Sequence, residues 1–119
     1  MSALPVAETL RAAADLIEPE GAWTQNAFSR NHDGTTDEAE GACPAADNPV
    51  CWCALGAIAA TAKVDPNHWR SWSGIAGTAS TALSTYLHDN VDNWNDDPSR
   101  TQAEVVAAFR AAADASEAL

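Results

Sequence analysis

Residues 48–62 read "NPVCWCALGAIAATA". Two cysteines flank a tryptophan at what reads as a helix start, and small residues follow. Asn48 or Asp47 can cap such a helix, and Pro49 suits its first turn. Cys51, Leu55, Ile58 and Ala62 recur at the helical period. Between them lie Ala54, Gly56, Ala57, Ala59 and Ala60, which keep the helix surface flat. Gly56 costs about 1 kcal/mol of helix propensity relative to alanine, so it needs a packing reason. The stretch predicts a central helix that a neighbouring backbone can approach closely.

Outward from this centre, the chain predicts three more short helices. The first runs from about Pro5 to Glu18, with Val6, Leu10, Ala13 and Ile17 as its apolar stripe and Glu8 paired to Arg11. Pro19 and Gly21 stop it. Residues 22–33 carry Trp23 and Phe28 without a sustained period, which suits an irregular segment with a short strand around 23–29. Residues 34–47 read as a polar loop. A third helix covers about Ile75 to His88, with Ile75, Ala79, Leu83 and Tyr86 as its stripe and Leu87 beside them. "DNVDNWNDDPSR" (89–100) reads as a loop. "TQAE" (101–104) then fits a capping box that opens a fourth helix, with Val105, Phe109 and Ala112 on its apolar face. The pattern predicts one domain spanning 1–119 and an all-α bundle of about four helices, or a mainly α fold with a small hairpin.

Composition narrows the functional classes. Six basic and seventeen acidic residues give a net charge of −11. Such a field opposes binding to nucleic acid and to anionic membranes. No apolar run approaches a membrane span. The opening "MSALPVAETLRAAADLIE" has no basic n-region and no apolar h-region, so a cytoplasmic protein is expected. The three cysteines, Cys43, Cys51 and Cys53, are an odd number. This suggests thiols rather than a disulfide framework.

Each candidate site has a plainer structural alternative. A thiol at a helix N-terminus has its pKa lowered by the helix dipole, so Cys51 or Cys53 could be a nucleophile with His88 as base. The alternative is that both are small core residues, since unpaired cysteine is among the most buried residue types. Cys43, Cys51, Cys53 and His32 contain the donors of a Cys₃His zinc site but lack its usual spacing. Asn93, Asn95, Asp97 and Glu104 fall at four calcium-loop offsets, yet Pro98 stands where that loop needs glycine. Neither a metal nor a cofactor is therefore expected. "VDNWND" (91–96) suggests a polar pocket in which Asn95 or Asp96 faces the start of the second helix. Its structural alternative is a turn shaped by Asn95 and Asp96, with Trp94 as an apolar plug.

Taken together, "LRAAADLIEPEGAWTQNAFSR", "CWCALGAIAA" and "WNDDPSRTQAEVVAAFRAAA" resemble a family of small actinobacterial and phage-borne proteins, domain-of-unknown-function family 6197. The matching elements are Cys53, Gly56 and Ala57, then Trp94, Asn95 and Asp96. The resemblance implies no established activity and no catalytic residues. It does imply that the second-helix start and the Trp-Asn-Asp segment form one structural unit.

The expectation that follows is a small acidic helical domain without enzymatic activity, acting through an unknown protein partner or self-association. An exposed apolar patch around Trp69 and Trp72 would mark the contact. One alternative is a cysteine-dependent hydrolase or transferase. Another is an acidic decoy that occupies a nucleic-acid-binding protein.

Overall fold

The structure, a computed structural model, describes residues 4–36, 49–64, 72 and 74–118. Among them five helices and one two-stranded antiparallel ladder make a compact, mainly helical fold. Helix α1 spans Leu4–Ile17, α2 Ala54–Ala62, α3 Gly74–Leu87, α4 Val91–Asn95 and α5 Gln102–Glu117. Strand β1 is Ser29–Arg30 and β2 is Cys51–Trp52, with Ser29 opposite Trp52 and Arg30 opposite Cys51.

Helices α1 and α5 pack against each other as the main pair, and α2 and α3 close the core beside them. The α1 stripe is buried as its spacing predicts: Val6, Leu10, Ala13 and Ile17 all face inward. So do Val105, Phe109 and Ala112 of α5. On α3 the prediction holds for Ala79 and Leu83, while Ile75 is half-buried against the core. It fails for Tyr86, which is exposed, and Leu87 packs inward instead. One residue is 100° of helix, so the drift of the stripe toward its C-terminal end selects the neighbour.

Polar ties hold the α1–α5 pair. Arg11 bridges to Asp114 at 2.7 Å and also to Glu117. Arg110 reaches Asp15 at 3.1 Å and Glu18 at 3.0 Å. Arg11 thus serves α5 rather than Glu8, its expected partner one turn away. The Gln102 side chain donates to the carbonyls of Ile17 and Pro19 at 2.6 and 2.7 Å. It satisfies acceptors that the α1 C-terminus leaves open.

The second helix begins later than the sequence suggests. Pro49 precedes a strand, Cys51 lies in β2, and α2 starts only at Ala54. Asn48 and Asp47 lie outside the described residues. The reason is competition for backbone hydrogen bonds. Val50 N–H donates to Arg30 O at 2.9 Å, Trp52 N–H to Ala22 O at 2.9 Å and Cys53 N–H to Phe28 O at 3.0 Å. Trp52 O accepts from Thr24 N–H at 3.0 Å. With partners on both sides, an extended Val-Cys-Trp segment is favoured over a further helical turn. The segment read as a loop at 89–100 contains α4. Among the described residues, no helix is long and apolar enough to cross a membrane.

Candidate functional site

The N-terminus of α2 is where the residues singled out in the sequence meet. Cys53 is the N-cap, extended at φ −78° and ψ 178°, and its Sγ accepts the Gly56 N–H at 3.3 Å. The Ala54 N–H is taken by Asn95 Oδ1 at 3.0 Å. Two of the donors that every helix start leaves open are thus satisfied by side chains, one of them from α4.

Asn95 is fully buried. Its Oδ1 also accepts from Trp23 Nε1 at 2.8 Å. Its Nδ2 donates to Thr24 O at 3.2 Å and to Asp96 Oδ1 at 3.0 Å. Its backbone carbonyl accepts from Gln25 Nε2 at 2.8 Å. A carboxamide offers two acceptor and two donor positions, and here all four are used. Asp96 Oδ1 in addition accepts the N–H of Asn26, whose backbone is left-handed at φ 64°. Gln25 Nε2 ties the same segment to Asp97 O at 2.7 Å.

Gly56 has its packing reason here. A Cβ at this position would stand 1.9 Å from the Phe28 carbonyl oxygen. That oxygen is also the acceptor for Cys53 N–H. The bare helix surface lets the 28–30 segment lie directly on α2. Three separate stretches therefore converge at one joint: residues 22–30, β2 running into the start of α2, and α4.

Trp94 is half-buried against the core, and the Arg100 guanidinium lies 3.9 Å from its ring centroid. Arg100 Nε donates to Trp94 O at 3.0 Å, and its Nη1 reaches Glu104 at 3.2 Å. Arg100 therefore stacks on the tryptophan and ties it to the start of α5. Thr101 and Glu104 form the full capping box, with bonds of 3.0 and 3.3 Å. The Thr101 N–H, foremost, holds the Glu104 carboxyl below its ordinary pKa. The Ser99 N–H does the same for Asp97. Asn95, Asp97 and Glu104, three of the four calcium-offset residues, are thus committed to protein donors and acceptors.

Cys51 and Cys53 are both buried thiols. Cys53 packs in the main core, while Cys51 lies in β2. His88 is exposed and left-handed at φ 59°, just past the end of α3. Among the described residues, no hydrogen bond joins His88 to either thiol, and no group of three or more His, Cys, Asp or Glu side chains is placed to hold a metal ion. Cys43 and Trp69 lie outside the described residues.

The joint also uses residues that local reading passes over. Trp23, Gln25 and Asn26 supply its far side from 70 or more positions away. Nothing in "WTQN" marks them locally beyond a polar interruption beside an aromatic.

The arrangement defines a mainly helical protein organised around a buried asparagine joint. A family profile described as a family of unknown function, DUF6197, matches residues 1–115, and the chain belongs to that family. No curated protein and no solved structure matches it.

Proposed function

We propose that this chain is a non-enzymatic interaction or accessory protein of the cytoplasm, a single domain in which the Cys53–Gly56–Asn95 joint is structural. The observation that carries this reading is the closure of Asn95: every polar atom of its carboxamide is bonded within the protein. No donor or acceptor of that group remains for a substrate. Both thiols are buried and the candidate base is exposed elsewhere.

The surface best suited to a protein contact is α3. Its fourteen residues, "GIAGTASTALSTYL", carry no charge, although the chain holds twenty-three charged side chains. Thr78, Thr81, Thr85 and Tyr86 are exposed on it. Interface centres are depleted in charge, and α3 shares that feature, with Tyr86 as its one aromatic. Trp72, half-buried, closes one end of this face over Gly77. The net charge of −11 disfavours nucleic acid and anionic membrane as partners.

Two measurements test the reading. Iodoacetamide labelling of the folded protein, followed by mass spectrometry from about pH 6 to 9, should find Cys51 and Cys53 protected until the chain is unfolded in urea. Rapid alkylation of either thiol well below the ordinary cysteine pKa would overturn it. A photo-crosslinking residue at Tyr86, introduced in the native host, should give a discrete adduct that the same residue at Glu8 does not. Equal, diffuse crosslinking at both positions would remove α3 as the contact face.

A further inference from the structure

A small cavity lies between α3, α4 and the start of α2. It measures about 170 Å³ and is lined by Leu55, Ser80, Thr81, Thr85, Asn90 and Val91, with Ser84 at its side. From the cavity we infer a binding site for a small neutral polyhydroxylated molecule, a polyol or monosaccharide.

The hydroxyl groups converge because of helical spacing. Ser80 and Ser84 are one turn apart, as are Thr81 and Thr85, and the two pairs are adjacent. Leu55 and Val91 are buried and form an apolar floor. Helical Ser and Thr commonly return their hydroxyl to the carbonyl four residues back. Thr78 does so to Gly74 at 3.0 Å, and Ser84 donates to Asp89 O at 2.8 Å. Among the described residues, the Ser80, Thr81 and Thr85 hydroxyls have no protein partner. Asn90 is the N-cap of α4, yet its side chain makes no capping bond. Asparagine at this position ordinarily bonds an amide of the first turn. Its carboxamide remains available at the cavity rim.

The lining thus offers three hydroxyls and one amide, each able to donate and accept, with no charged side chain among them. An apolar floor with a few convergent polar groups is the usual make-up of a small-molecule site. The volume equals that of roughly six water molecules, which sets the ligand at the size of a small polyol or a single sugar ring. The net charge of −11 opposes a phosphorylated ligand. The site shares Thr81 and Thr85 with the α3 contact face, whereas Ser80, Asn90, Leu55 and Val91 belong to the cavity alone and tell the two apart.

The test is a ¹H–¹⁵N correlation titration of the full chain with glycerol, ribose, glucose and myo-inositol, each to tens of millimolar. At least one should give saturable shifts confined to residues 80–85, 90, 91 and 55, with a Kd in roughly the millimolar range expected for so few contacts. Ribose 5-phosphate should bind more weakly than ribose. The double variant Ser80→Ala, Asn90→Ala should fold normally by circular dichroism and lose about tenfold in affinity. Absence of saturable shifts with all four probes would overturn the inference. So would shifts scattered over the surface, or shifts unchanged in the double variant. Neither outcome bears on thiol protection or crosslinking at α3.

Discussion

Replacing Gly56 with alanine sets two effects against each other, and the structure decides between them. Helix propensity alone favours alanine by about 1 kcal/mol. The new methyl, however, would sit 1.9 Å from the Phe28 carbonyl oxygen, where real Cβ atoms essentially never come within 3.0 Å. The obstacle is backbone, so no rotamer change relieves it. The 28–30 segment would have to move off α2 by about 1 Å. That shift strains the Phe28 acceptor of Cys53 N–H and the ladder beside it. Overpacking of this kind costs about 1–3 kcal/mol, and a weakened hydrogen bond adds about 1. The net expectation is destabilisation by about 1–3 kcal/mol after the propensity gain. Urea unfolding followed by circular dichroism measures it as a fall in midpoint of about 1 M at unchanged slope. A Gly56→Ala variant as stable as the parent, or more stable, would refute the close approach of the two backbones and with it the joint.

Other perturbations test neighbouring claims. Asn95→Ala strands the Trp23 Nε1 and Ala54 N–H donors, so thermal or urea unfolding should show a loss of about 2–4 kcal/mol. Asn95→Asp keeps those two donors but places a second carboxyl against the Asp96 oxygen and Thr24 O. The lost Nδ2 donor and the added repulsion should cost about 1–3 kcal/mol in the same urea assay. In the parent protein, Arg110 holds the Glu18 carboxyl below its ordinary 4.5, and Arg11 does the same for Glu117. Their contribution is present above that value and lost as pH falls toward the lowered folded pKa. Arg110→Gln should therefore flatten acid destabilisation measured from pH 5 downward, within the small range of exposed ion pairs. Thr101→Ala removes the capping box and should cost about 1 kcal/mol in the same urea assay.

The helices that bury a regular stripe were legible in the sequence because period alone specifies them. The inward residues of α1 and α5 and the Thr101–Glu104 box follow from local spacing. What escaped was most of the detail that depends on distant hydrogen bonds. "VCWC" reads as helix until residues 22–30 supply donors and acceptors on both of its sides. Val91–Asn95 reads as a turn because five residues are too few to show a period, and α4 is held by contacts with α2 and α3. Gly56 announced that something approaches closely, but not that the neighbour is the Phe28 carbonyl. Among the site candidates, the link between the α2 start and Asn95 was inferred through the family resemblance and the segment's polar content. The partners Trp23 and Gln25 carried no such sign.

The placement of the ties bears on how the protein behaves as a whole. Asn95 is bonded to residues 71 and 72 positions earlier, and Arg11 to carboxylates 103 and 106 positions later. The joint cannot form until both halves of the described chain are in place, and the α1–α5 pair closes over the same span. A segment lacking either half leaves a buried asparagine or an apolar helix face without its complement. Both costs are large beside the few kcal/mol that hold a small fold together. The energetics therefore favour a single cooperative unit whose inner polar groups are consumed by folding.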